Sequence, residues 1–87
     1  MKTIYKYTIN PFEKSYMIPS GAKILTVMVQ NGMPCIWALV DPEKEVERRD
    51  FEIYGTGHEI EPGVREYIGS FMMQNDSLVF HVFEELS

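Results

Sequence analysis

Two apolar runs joined by a pair of turn residues restrict the fold more than any other part of this chain. The runs KILTVMVQ (residues 23–30) and MPCIWALV (33–40) flank Asn31-Gly32. A type I′ turn needs a positive φ at both central residues, and Asn-Gly adopts that conformation at low cost. The segment 23–40 therefore predicts a β-hairpin closed by a two-residue turn.

The turn also predicts which residues face each other across the hairpin. Pro34 falls at a pair without hydrogen bonds, so its missing N–H group would face away from strand 23–30. Any third strand beside residues 35–40 should then stop short of position 34. From the turn outward, the predicted pairs are Gln30–Met33, Val29–Pro34, Met28–Cys35, Val27–Ile36, Thr26–Trp37 and Leu25–Ala38.

The run CIWALV (35–40) lacks the alternation of apolar and polar residues that is typical of a half-exposed strand. A strand that is apolar on both sides is expected to be covered on both sides. The run therefore predicts a closed barrel, or a sandwich in which a loop or a partner also covers the outer face.

Short runs rich in aromatic and β-branched residues recur along the rest of the chain, separated by Pro, Gly and Asn. The charged stretch 41–50 is interpreted as a solvated excursion, with at most one helical turn capped by Asp41 and begun by Pro42. The prediction is an all-β fold: a six- to seven-stranded antiparallel meander that closes into a barrel or compact sandwich, in a single β-rich domain over residues 1–87. The further strands are expected at residues 3–9, 15–18, 49–55, 66–74 and 78–85.

The chain length predicts modest stability. An 87-residue chain has room for one hydrophobic core and buries only ~60–65 % of the surface that it exposes when unfolded. We therefore expect a marginally stable domain or one stabilised by a partner. An exposed sheet edge would also permit a homodimer.

Charge is distributed unevenly between the two halves of the chain. Residues 1–40 carry four lysines and one glutamate, whereas residues 41–87 carry four basic and twelve acidic groups. The acidic excess disfavours non-specific binding of duplex nucleic acid and favours contact with a basic surface on another protein. DNA mimicry is a weaker alternative, because arginines interrupt the acidic residues. The predicted partner-binding residues are Glu43, Glu45, Glu47, Asp50 and Glu52.

The N-terminus and the cysteine content favour a cytoplasmic protein. The segment MKTIYKYTIN lacks the apolar core of a signal peptide, and no stretch approaches the ~20 apolar residues of a membrane helix. Cys35 is the single cysteine, which precludes an intrachain disulfide and suits a reducing compartment. It is expected to be a small buried side chain, and no membrane contact is expected.

The stretch YGTGH (54–58) contains two glycines beside a threonine, as phosphate-binding loops often do. It lacks the third glycine of a dinucleotide fingerprint, and it lacks the Gly-Lys-Ser/Thr of a P-loop. It is interpreted as the end of a strand, where glycine allows a bulge or a positive φ. The alternative is a nucleotide or other small ligand, with tyrosine stacking on it and arginine meeting a phosphate. The residues of this alternative site are Tyr54, Gly55, Thr56, Gly57, His58, Arg65 and Tyr67.

No set of residues with a catalytic or metal-binding pattern occurs in the sequence. Cys35, His58 and His81 are the only soft metal ligands, and no two lie at the close spacing of a zinc site. His81 is interpreted as a partly buried histidine bonded to a neighbour, on the same strand face as Val79 and Phe83. No G-x-S-x-G motif occurs. We expect a protein without enzymatic activity, catalytic residues, metal or cofactor.

Several segments resemble, in the same order and over most of the chain, an uncharacterised family of small phage-encoded proteins. They are KTIYKY, GAKILTVMVQNGMPCIWALVDP, FEIYGTGH, YIGSF and LVFHVFE. The resemblance implies a phage early or accessory protein in the cytoplasm of a bacterial host, and it supplies no catalytic residues.

The function expected from these observations is binding rather than catalysis. The first hypothesis is a phage accessory protein that binds and inhibits a host protein, such as a component of antiviral defence. Its contact would be the acidic residues of the segment 41–52 or an exposed sheet edge. The second hypothesis is a small-ligand or nucleotide sponge that uses the bend from Gly55 to His58.

Overall fold

The computed structural model describes residues 1–86 and shows seven antiparallel strands without a helix in that range. They form two sheets that pack as a compact sandwich rather than a closed barrel, which confirms the all-β prediction. The strands are β1 (Thr3–Thr8), β2 (Ser15–Pro19), β3 (Lys23–Gln30), β4 (Met33–Val40), β5 (Val46–Gly55), β6 (Arg65–Met73) and β7 (Leu78–Glu85).

The two sheets differ in size and in strand order. The three-stranded sheet has the order β1-β4-β3, and the four-stranded sheet has the order β2-β5-β7-β6. Strand β4 lies in the middle of its sheet, and its residues Ile36, Ala38 and Val40 are buried against the other sheet. The apolar run 35–40 therefore supplies a central strand of the sandwich.

The β3–β4 hairpin has the predicted turn and most of the predicted register. Asn31 and Gly32 have φ values of 52° and 78°, and the pairs from Gln30–Met33 to Thr26–Trp37 are confirmed. The predicted pair Leu25–Ala38 is wrong. A bulge makes Leu25 an additional residue in β3, so Ile24 lies opposite Ala38 and packs against the core.

The third strand of this sheet ends where the proline predicts. Strand β1 runs beside β4 and its last paired residue, Thr8, lies opposite Cys35. The next residue, Ile9, donates its N–H to the carbonyl oxygen of Pro34 at 2.9 Å. Pro34 lacks a donor but keeps its acceptor, so the ladder ends with this single bond.

The prediction for the charged stretch 41–50 is wrong at residues 46–48, which belong to the strand expected only from residue 49 onward. Asp41 begins a turn, in which its carboxylate accepts the Glu43 N–H at 3.1 Å and its carbonyl accepts the Lys44 N–H at 3.0 Å. Strand β5 then begins at Val46, because residues 46–50 pair with β2. The charged side chains of this segment gave no strand pattern, and the pairing with β2 is not visible from neighbouring residues.

The inner faces of both sheets form one core in which Ile9, Ile18, Ile36, Val40 and Val82 are fully buried. The sheets approach closely where β3 packs on β6. A β-carbon built on Gly69 of β6 would lie 2.9 Å from Cγ1 of Val27 in β3. The absence of a side chain at Gly69 allows this approach.

An ion pair between a partly buried arginine and a buried glutamate lies at one end of the core. Arg49 of β5 donates from Nε and Nη2 to Oε2 and Oε1 of Glu84 in β7, at 2.6 and 2.7 Å. Its Nη1 group donates to the carbonyl oxygen of Ala22, which precedes β3. The pair therefore joins two strands of one sheet to the connection that leads into the other sheet.

Candidate binding surfaces

The bend after β5 is organised by the imidazole of His58. The His58 N–H donates to the Gly55 carbonyl at 3.1 Å, and the ring Nδ1 accepts the Gly55 N–H at 3.1 Å. Nδ1 is therefore unprotonated, and in the neutral ring Nε2 carries the hydrogen. A β-carbon at Gly55 would lie 2.7 Å from Cε1 of His58, so glycine here permits the close approach of the ring.

The bend does not gather all seven predicted ligand residues in one pocket, although Gly55, Thr56 and His58 line one together. Gly55 and His58 line an apolar pocket of about 350 Å³ between the sheets. Gly57 is exposed at the tip of the bend. The other four, Tyr54, Thr56, Arg65 and Tyr67, bond to side chains on the outer face of the four-stranded sheet.

Arg65 is held in an ion pair on that outer face. Its Nε donates to Oε1 of Glu52 at 2.7 Å, and its Nη1 donates to the carbonyl oxygen of Glu61. The hydrogen bond from Arg65, with a second from Tyr54, holds the pKa of the Glu52 carboxyl below its usual value despite partial burial. A phosphate at Arg65 would therefore compete with Glu52 for the guanidinium.

A histidine and three aromatic rings occupy the middle of the same outer face. His81 lies between the hydroxyl groups of Thr56 and Tyr67, with Nε2–Oγ1 and Nδ1–OH distances of 2.8 Å each. The ring of Phe83 contacts the edges of Tyr54 and Tyr67, with centroids 5.9 and 5.1 Å apart. Alternation in β7 predicted that His81 shares a face with Phe83, but its partners come from β6 and from the bend after β5.

The five acidic residues predicted to bind a partner do not form one uniform surface. Glu43 and Glu45 are exposed in the connection between β4 and β5, and Glu47 is exposed near the start of β5. Asp50 accepts a hydrogen bond from the Ser15 hydroxyl at 2.7 Å and lies 3.3 Å from Nε of Arg48. Glu52 is paired with Arg65, so part of the acidic charge is compensated within the chain.

The outer side of the three-stranded sheet is an uncovered apolar surface, here called the Trp37 face. It consists of half-buried Trp37 and Leu39 with four apolar side chains that are 43–56 % exposed. Its charged residues are Lys6 and Lys23, and the strands β1, β3 and β4 contain no acidic residue. The four exposed apolar side chains are Ile4, Leu25, Met28 and Met33.

Cys35, the third residue of a type that could bind a soft metal, is buried below this face. Its sulfur lies 3.6 Å from the Thr8 hydroxyl oxygen, so the prediction of a small buried side chain is confirmed. Within residues 1–86, no three His, Cys, Asp or Glu side chains come close enough to hold a metal ion. The same residues include no helix long and apolar enough to cross a membrane.

Comparison with known proteins assigns the whole chain to one family. Residues 1–87 match a domain of unknown function, DUF7352. The chain belongs to the DUF7352 family. The expectation of an uncharacterised family is thereby confirmed, whereas the phage origin of this DUF7352 protein stays a prediction. No curated protein and no solved structure matches the chain.

Proposed function

We propose that this DUF7352 protein is a non-enzymatic phage accessory protein that binds and inhibits a host protein in the host cytoplasm, and that the Trp37 face is its binding surface. The observation that carries the proposal is the exposure of apolar side chains around a tryptophan on a regular sheet. Contiguous apolar surface of this kind marks interaction sites, and interface centres are enriched in aromatic residues and methionine.

The charges around the Trp37 face indicate the chemistry of the partner. Lys6 and Lys23 border the apolar side chains, and no carboxylate from the three strands accompanies them. Complementary charge steers association and discriminates between partners. The partner expected here is a protein with an apolar patch and an acidic rim, such as a component of antiviral defence with that surface.

The two surfaces favoured by the sequence are less suitable. In the segment 41–52, Asp50 and Glu52 are already paired within the chain. The nucleotide alternative needs Arg65, whose N–H groups are bonded to Glu52, Glu61 and Tyr54. An apolar face without such internal partners gives up less hydration when it is covered.

Two methionine substitutions provide a matched test. Met28 lies on the Trp37 face and is 51 % exposed, and Met72 lies on a strand of the other sheet and is 55 % exposed. A partner captured by the wild-type protein from infected cells is purified, and its affinity is measured for Met28→Glu and Met72→Glu. We expect M28E to raise the Kd by about tenfold or more and M72E to leave it nearly unchanged.

A third variant distinguishes the Trp37 face from the acidic segment. Replacing Glu43, Glu45 and Glu47 together by lysine should leave the affinity within about threefold of wild type, since loss of peripheral charge mainly alters association rates. A strong loss of affinity with this triple variant, and none with M28E, would show that the acidic segment is the binding surface and would overturn the proposal.

A further inference from the structure

The pocket beside His58, here called the end pocket, is a second uncovered apolar feature. Its volume is about 350 Å³, and among residues 1–86 its polar lining is the bend at Gly55 and His58. The Phe71 and Phe80 rings stack in its wall with centroids 5.5 Å apart. Its apolar walls are formed by Pro11, Pro34, Ile53, Phe71, Met73 and Phe80.

An exposed phenylalanine stands next to this pocket. Phe12 follows Pro11 of the pocket wall, and its side chain is 96 % exposed. Its loop is ordered by hydrogen bonds, because the Phe12 N–H donates to the Asn10 side-chain oxygen at 2.7 Å and the Glu13 N–H donates to the Asn10 carbonyl at 3.1 Å. The hydroxyl of Tyr16 also accepts the Asn10 N–H at 2.9 Å.

We propose that the end pocket of one copy receives Phe12 of a second copy, and that the contact is reciprocal. A twofold dimer requires one surface that contains both the inserted group and its receptor. Here Phe12 and the pocket wall at Pro11 are neighbours in sequence, so a single contact buries both Phe12 side chains. The ring of Phe12 would lie among Phe71, Phe80 and Met73.

Charge favours a second copy at the end pocket and a different protein at the Trp37 face. Among the described residues 1–86, no lysine, arginine or carboxylate lines the end pocket, so the pocket walls carry no charge that would repel the same walls of a second copy. A twofold contact through the Trp37 face would instead bring lysines such as Lys6 and Lys23 towards their own copies. The two contacts use different parts of the molecule, and the dimer does not depend on the function proposed above.

The dimer is expected to be weak, because a contact centred on two phenylalanines is small compared with a stable interface. Its test combines sedimentation velocity with fluorine NMR of protein carrying 4-fluorophenylalanine at position 12 alone. As concentration rises, the mass should increase from that of the 10.1 kDa chain towards twice that value. The fluorine resonance should shift in step, as the stacked rings of Phe71 and Phe80 surround it.

Two substitutions with similar chemistry test whether Phe12 is responsible. Phe12→Ser should raise the dimer dissociation constant by at least about tenfold. Met17→Ser removes an apolar side chain, 55 % exposed on β2, and should leave it unchanged. In a mixture with a copy carrying ¹³C-labelled methionine methyl groups, nuclear Overhauser contacts should join the unlabelled Phe12 ring to Met73 of the other copy.

Three results would overturn this proposal. The first is that F12S dimerises as wild type does. The second is that the fluorine signal of a monomer is shifted at every concentration, which would place Phe12 in the pocket of its own copy. Native mass spectrometry could show a bound small molecule in place of a dimer. M28E should still dimerise, so failure of the dimer and failure of the partner interaction are distinguishable.

Discussion

At the scale of single residues, the Arg49–Glu84 pair places two charged groups at the edge of this small core. Glu84 is 5 % exposed, and both of its oxygens accept hydrogen bonds from the Arg49 guanidinium. Removing charges from water is costly, and the pair is stable only because each ion satisfies the other. The contribution of the pair to the free energy of unfolding is therefore measured by removing one partner and then both.

We expect Glu84→Gln to lower the free energy of unfolding by about 3 kcal/mol, because it leaves the partly buried Arg49 without its counterion. Arg49→Met should cost a similar amount. The double variant should lose clearly less than the sum of the two single losses, since it leaves no unpaired charge. Urea unfolding measures all three values, and additivity within about 0.5 kcal/mol would show that the residues do not act as a pair.

Glu52 provides a prediction for the dependence of stability on pH. Its folded-state pKa lies below the ordinary value of 4.5 because Arg65 hydrogen-bonds to the charged form. As pH falls, the unfolded chain takes up this proton first. The stabilising contribution of Glu52 is therefore complete above about pH 4.5 and is lost as pH falls through the folded-state pKa.

Substituting Glu52→Gln removes that contribution. The difference in unfolding free energy between wild type and E52Q should be largest near neutral pH and should shrink as the solution becomes more acidic than pH 4.5. Chemical unfolding at a series of pH values measures it. Glu59→Gln, at an exposed position, reports the effect of losing one negative charge alone. A difference that is constant with pH would mean that Glu52 acts through packing.

At the scale of elements, the contact between β3 and β6 joins the two sheets along one side. Val27 is buried and its Cγ1 methyl occupies the space in which Gly69 would carry a side chain. The strand predicted at residues 66–74 did not explain why a glycine stands at position 69. The reason lies in the neighbouring sheet, because the close approach of another strand requires a residue without a β-carbon.

Gly69→Ala should therefore destabilise the protein by about 1–3 kcal/mol through overpacking. Val27→Ala removes the methyl group that would collide, at a cost of its own from the cavity that it leaves. The double variant should be more stable than the sum of the two single losses predicts. Thermal or urea unfolding provides the comparison, and a double variant no better than that sum would place the strain elsewhere.

At the scale of the whole molecule, charge and apolar exposure are segregated between the two sheets. The strands of the three-stranded sheet carry Lys6 and Lys23 without an acidic residue, whereas the acidic strand residues belong to the other sheet. This arrangement gives the molecule an oriented electrostatic field, which affects association rate more than final affinity.

The double variant Lys6→Glu and Lys23→Glu should therefore slow association with the partner of the Trp37 face by about tenfold at low salt. The effect should shrink as ionic strength rises, because salt screens the charges. Lys44→Glu, in the exposed turn before β5, makes half of that charge change away from the face and should have little effect. Surface plasmon resonance measures the rates, and slowing by K44E that is half as large on a logarithmic scale would assign the effect to net charge alone.

Local pattern was sufficient to predict the seven strands, the Asn31-Gly32 turn, most of the β3–β4 register and the apolar character of β4. These features depend on alternation and turn chemistry among residues close in sequence. The same apolar run, 35–40, also predicted that the outer face of its sheet would need a cover. That prediction leads directly to the proposed binding surface.

The strand order, the bulge at Leu25, the Arg49–Glu84 pair and the division of the Gly55–His58 bend were decided by tertiary structure. Alternation of apolar and polar residues predicts which side of a strand is buried, but it does not predict which strand lies beside it. Ile24 packs inward because the core is there, and Arg65 pairs with Glu52 because β6 and β5 present them on one face. Such contacts join residues that are distant in sequence, and their energies emerge only when the two sheets pack.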